Sequence, residues 1–188
     1  METEKIRVRL VGVADIMFDR FIDHSKEKRP PEQKLYLIED NIVTIPTENI
    51  YAFLFGENPQ GCAAVFEGKK KKDYLRVGQS HVFIDPLALP IEKNDKKLKF
   101  TGFDPENWWI HRGAPRTKQG SLSIKQEVKE RPVLKLPWSV KFTVSIVKNA
   151  LINETKLYNW FTAGGIQIGL GTYRPRFGRF QVEEWQKV

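Results

Sequence analysis

The residues with the most evident chemical potential lie near the C-terminus. Between Gly164 and Phe180 the chain places Gly164, Gly165, Gly169, Gly171 and Gly178 among Arg174, Arg176 and Arg179, with Tyr173, Phe177 and Phe180 interleaved. Glycines let a backbone approach a phosphate and expose its N–H groups. Arginine forks match phosphate oxygens, and their planes stack on bases. Tyr173 offers a stacking surface to an unpaired base. The competing reading is a glycine-rich turn packed against a helix, with the arginines merely solvated.

A second stretch combines Trp108 and Trp109 with His111, Arg112, Arg116 and Lys118. It reads either as a finger that clamps a nucleic-acid backbone or as two core tryptophans followed by an exposed basic tail. Lys69, Lys70, Lys71 and Lys72 form a basic run, read as a solvated connection with phosphate contact as the second role. Asp15, Asp19 and Asp23 recur every four residues, which would align carboxylates on one face of a helix, although a solvated polar loop is the stronger reading. His24, His81 and His111 are scattered with no metal-ligand spacing, so neither a metal nor a cofactor is expected. Cys62, the single cysteine, sits among Ala63, Ala64 and Val65 and reads as a buried, unreactive thiol. Walker A, dinucleotide-binding and nucleophile-elbow patterns are missing.

These residues need elements to position them. Residues 5–13 and 139–147 alternate apolar and polar side chains as half-buried strands do. Residues 35–45 suggest a hairpin turning at Glu39, Asp40 and Asn41. Thr47 stands as an N-cap for a short helix bearing Ile50, Phe53 and Leu54, which Gly56 would end. Stretches 75–84 and 97–103 read as strand-like. Asn153 caps a second helix, with Ile152 and Leu157 at the spacing of a hydrophobic staple. That helix should stop at Gly164 and Gly165, and a glycine loop should lead to a last strand over 177–185. The order implies an α+β fold, a ferredoxin-like (RRM-like) βαβ–βαβ core in one domain spanning 1–188. Residues 61–135 are expected as a large β-rich, basic insertion.

Composition agrees with a basic partner-binding domain. The 188 residues carry 31 Lys and Arg against 23 Asp and Glu, a formal charge of +8, which favours a polyanion through counterion release. Residues 1–9 are charged rather than apolar, and no window has the length of a membrane helix. A cytoplasmic location without membrane contact is the expectation.

The glycine segment resembles the glycine-rich loop of the RAMP superfamily of CRISPR systems, which includes the Cas7-like backbone subunits. Arg176-Phe177-Gly178-Arg179-Phe180 matches the loop's closing Gly-aromatic-Gly-Arg-hydrophobic pattern, with Arg176 in place of its first glycine. Thr44-Ile45-Pro46-Thr47-Glu48-Asn49-Ile50 resembles the family's approach to its first helix, although 51–55 lack the basic residue usual there. The resemblance implies a non-catalytic RNA-binding subunit of an antiviral ribonucleoprotein. The candidate RNA-binding residues are Gly169, Gly171, Tyr173, Arg174, Arg176, Gly178 and Arg179 in the loop, with Arg112, Arg116, Lys118 and Lys69 to Lys72 outside it. The strand held would be a single-stranded guide RNA, with target RNA as a second partner. Its partners would be other effector subunits or copies of itself. The same resemblance leaves two alternatives. One is an endoribonuclease using Asp23 or a histidine, His24 or His111; the other is a viral or mobile-element protein that uses the fold structurally or as an inhibitor.

Overall fold

A computed structural model describes residues 2–20, 29–113 and 128–188. In chain order its elements are β1 (Thr3–Gly12), β2 (Ile16–Met17), β3 (Leu37–Ile38), β4 (Ile42–Pro46), α1 (Thr47–Phe55), α2 (Cys62–Phe66), α3 (Lys71–His81) and β5 (Val82–Asp85). There follow β6 (Ala88–Lys93), β7 (Lys96–Lys97), β8 (Trp108–Gly113), β9 (Lys129–Leu134), β10 (Ser139–Val147), α4 (Glu154–Gln167) and β11 (Phe180–Lys187).

Four strands lie in the order β11–β1–β10–β5, every neighbour antiparallel. With α1 to α3 between β1 and β5, and α4 between β10 and β11, this is the ferredoxin-like βαβ–βαβ arrangement. Alternation sets the faces. Ile6, Val8 and Leu10 of β1 and Val140, Phe142, Val144 and Ile146 of β10 are buried in one core with Phe53 of α1 and Leu157, Trp160 and Phe161 of α4. The segment 61–135 contributes α2, α3 and β5 to this core and its sheet. It also supplies β6, which pairs with the end of β10 and with β4, and β8 and β9.

A second sheet, β2–β9–β8, carries the functional interest. Its period-2 alternation splits the side chains cleanly. Ile16, Trp108 and Leu134 join the main core, where Trp108 meets Phe18, Phe100 and Phe103 with ring centroids 5.6–6.1 Å apart. Met17 and Val133 turn to the opposite face and pack with Phe177.

Several local expectations hold. Asp40 and Asn41 turn the β3–β4 hairpin at φ 60° and 56°. The Asn153 side chain caps α4 by accepting from the Lys156 N–H at 2.9 Å, and Ile152 and Leu157 are both buried. Others differ for identifiable reasons. Pro46, extended at φ −69°, precedes α1, while Thr47 is its first residue and donates its N–H to the Leu87 carbonyl instead of capping. The stretch 75–84 is mostly α3, whose buried contacts, Tyr74 and Gly78, are one helical turn apart. From 97 onward β7 ends, yet Lys99 bridges Ile42 and the Leu98 and Phe100 N–H groups donate to the Ile91 and Asn41 carbonyls at 2.8 Å, so the stretch stays strand-like as far as Phe100. The last strand begins at Phe180, three residues later than expected. Asp15 and Asp19 flank the two-residue β2, so the four-residue spacing of the aspartates is not helical there.

The second helix does not stop at its glycines. α4 runs through Gly164 and Gly165 to Gln167, because both face packed neighbours. A Cβ on Gly164 would lie 2.7 Å from the Cys62 sulfur, and one on Gly165 would lie 2.5 Å from the Phe180 carbonyl oxygen. Here glycine serves close packing rather than chain termination. Among the described residues no helix is long and apolar enough to cross a membrane.

Candidate nucleic-acid interface

The chain from Ile168 to Arg179 leaves α4 and returns to β11 as a compact loop on the outer face of the small sheet. Gly169, Gly171 and Gly178 take φ values of 75°, 74° and 75°. Gly171 is hemmed in, since a Cβ would come 2.6 Å from the Met17 carbonyl oxygen. Left-handed backbone in confined space requires glycine at these positions. Backbone hydrogen bonds fix the loop at both ends and to β2. Leu170 N–H donates to Gly178 (2.9 Å), Thr172 N–H to Met17 (3.0 Å), Gly178 N–H to Asp15 (2.7 Å) and Val13 N–H to Arg179 (2.8 Å).

The three arginines have different surroundings. Arg176 and Arg179 are exposed, and neither has an ion pair among the described residues. Arg174 is half-buried and donates to the Gly169 carbonyl at 3.3 Å. Burial lowers its affinity for its proton, an effect that the neighbouring Cys62 opposes. Cys62 itself is fully buried, and desolvation pushes its thiol well above the usual cysteine range.

Tyr173, also at positive φ (60°), is 47% exposed. Its ring reaches β8, where it lies 5.9 Å from His111 and 6.0 Å from Phe177. Trp109, on the same face of β8, is 5.9 Å from both His111 and Phe177. His111 is held below the ordinary histidine pKa, first by desolvation, then by the charges of Arg131 and Arg176. Its Nδ1 is buried and has no hydrogen-bond partner among the described residues.

One residue ties these parts together. The Asp15 carboxylate accepts from the Trp109 indole N–H and from the Leu136 backbone N–H, each at 3.1 Å, while its carbonyl accepts from Gly178. Nearby, Asp19 pairs with Arg131 at 2.7 Å, and the buried Lys34 ammonium donates to the Glu130 carbonyl. Burial lowers the pKa of Lys34, and Asp19 partly offsets this.

The two stretches that resemble RAMP motifs meet in space. Gly171 and Thr172 line a small pocket of about 20 Å³, room for a single water, together with Ile45, Pro46, Asn49 and Asp19. Arg112 projects from β8 into solvent and pairs with Glu130 at 2.9 Å. Lys69 to Lys72 lie where α2 gives way to α3, and among the described residues no hydrogen bond or ion pair joins them to the loop. Asp23, His24, Arg116 and Lys118 lie outside the described residues. Arg131 carries no signal in the sequence that would assign it to this site, and Asp15 stands out only for its four-residue spacing. The β8–β9 register sets Arg131 opposite His111, and the Trp109 indole and the Gly178 N–H reach Asp15.

No protein-family model matches the chain, and no curated protein matches it. Among solved structures, a chain in the cryo-EM structure of the Type III-B Cmr-beta bound to cognate target RNA matches with a TM-score of 0.58 at 10% sequence identity. The match covers 100% of this chain and 61% of that one, so this chain spans about three fifths of its length. The likeness is one of fold: an α+β protein with a ferredoxin-like core, compatible with the RAMP architecture that its two motifs resemble.

Proposed function

We propose that this chain is an RNA-binding subunit of a CRISPR-type ribonucleoprotein and holds a single-stranded RNA backbone on its glycine loop. The observation that carries this reading is the loop itself. Glycines held at positive φ and tied by backbone hydrogen bonds to β2 present two exposed arginines that have no ion pair among the described residues, in a loop that meets the second motif at Gly171 and Thr172. Arg176 and Arg179 contact phosphates, and Arg174 shapes the loop from beneath. Gly169, Gly171 and Gly178 let the RNA backbone come close. Arg112 and the Lys69–Lys72 run add longer-range attraction, and further effector subunits or copies of the chain bind the same RNA.

Filter binding of a labelled single-stranded RNA across a salt series tests this. The logarithm of the affinity should fall linearly with the logarithm of salt concentration, with a slope of about −0.7 per neutralised phosphate. Replacing Arg176 and Arg179 together by alanine should make that slope shallower by one to two phosphates. A flat salt response, or an unchanged slope in the double variant, removes the loop from RNA binding.

A further inference from the structure

Loop and small sheet together form an aromatic surface whose members stand more than sixty residues apart in the chain. Phe177 is its buried centre, with His111 and Trp109 from β8 and Tyr173 from the loop packed around it at centroid distances of 5.8–6.0 Å. Two of the four rings remain open to solvent, Tyr173 at 47% and Trp109 at 36%. Tyr173 holds this place at φ 60°, a conformation that an L residue with a large side chain avoids. Burial does not explain it, since nearly half of the residue faces water. His111 contributes a ring that desolvation, Arg131 and Arg176 keep toward its neutral form, and its Nδ1 makes no hydrogen bond among the described residues. Its visible contacts are therefore those of a flat ring rather than a polar hub.

Cations border these rings. Arg176 precedes Phe177 in the chain, and its charge is felt at His111. Half-exposed aromatic residues near an exposed guanidinium suit a molecule that joins a flat ring to an anion through a short spacer, which describes a nucleotide. An apolar peptide would satisfy the rings but would leave Arg176 without its complement.

We propose that Trp109, His111, Tyr173 and Phe177 form a stacking platform for one unstacked nucleobase of a single-stranded RNA, with Arg176 on the adjoining phosphate. This rests on the RNA-binding reading above and adds base contact to backbone contact. Stacking is tolerant of base identity, so the platform confers affinity and register rather than sequence choice.

The test compares a labelled oligoadenylate with an abasic strand of the same length and charge. The protein should bind the abasic strand more weakly, by a factor of about 5 to 150, the range that one base–aromatic stack supplies. Tyr173→Asn removes the ring while keeping a residue that tolerates positive φ. It should lower oligoadenylate affinity to the abasic level and leave abasic binding unchanged, and Tyr173→Phe should restore it. The thermal midpoint of each variant separates loss of the ring from loss of the fold. Equal affinity for the two strands, with Tyr173→Asn neutral on both, overturns the platform while leaving backbone binding intact. Failure to bind either strand overturns the platform together with the RNA-binding reading.

Discussion

Arg174, Arg176 and Arg179 are equivalent in the sequence and differ in the fold. Arg174 lies half-buried with its donor on the Gly169 carbonyl, so its removal should be felt in stability. Arg174→Ala should cost about 1–2 kcal/mol, from one hydrogen bond and a lost packed stem, read as a lower midpoint in urea. Arg176→Ala should leave that midpoint unchanged and weaken RNA binding. His111 supplies a pH-dependent signature. Its folded pKa lies below its unfolded one, so between the two values the unfolded chain binds more protons and stability rises with pH. The contribution of His111 is complete above the ordinary histidine value near 6.5 and is lost as pH falls through it toward the folded value. Thermal melts between pH 7 and pH 5 should show this decline, and Arg176→Ala should soften it by removing one of the charges that disfavour imidazolium. At this scale the sequence is legible only in part. Residue types advertise a basic, aromatic loop, but that Arg174 is the cation turned inward, toward the Gly169 carbonyl and Cys62, is set by tertiary packing that no local pattern encodes.

Elements were more legible where local physics decides them. The period-2 patterns of β1 and β10, the Asn153 cap and the left-handed β3–β4 turn follow from neighbours in the chain. The end of α4 does not. Glycine has a poor helix propensity, and on propensity alone Gly165→Ala would stabilise a helix by about 1 kcal/mol. In place, the new methyl meets the Phe180 carbonyl oxygen at 2.5 Å and its ring at 2.8 Å, pressing α4 away from β11. Overpacking of this kind costs about 1–3 kcal/mol, so the net effect should be destabilising. Chemical denaturation of Gly165→Ala checks the sign, and a gain in stability would mean that the helix and strand can separate without loss. α3 was hidden for a related reason: one of its two buried residues, Gly78, has no side chain to register as apolar, and its packing against Phe55 exists only in three dimensions.

For the whole molecule, the candidate site belongs to neither sheet alone. The ferredoxin-like core ends in the glycine loop, the small sheet presents Trp109 and His111, and Asp15 in the short link between β1 and β2 bonds to both. Its carboxylate holds the Trp109 indole and the Leu136 N–H, and its carbonyl holds Gly178. Asp15 therefore acts on the site through the relative placement of two layers, as a positioning residue. Asp15→Ala removes the acceptor of an indole and of a backbone donor that both face solvent, at a cost of about 1–2 kcal/mol, since water takes up the freed donors. Because the Gly178 bond uses the backbone, the loop should survive, whereas Trp109 and the end of β9 should loosen. Amide exchange should accordingly quicken in β8 and around Leu136 while β1 and β10 keep their protection. RNA affinity should fall through the displaced Trp109 ring. Asp15→Asn, which retains one carbonyl acceptor, should recover part of both effects. Uniformly faster exchange across β1, β10 and β8 would show instead that the two sheets unfold as one unit and that Asp15 serves global stability alone.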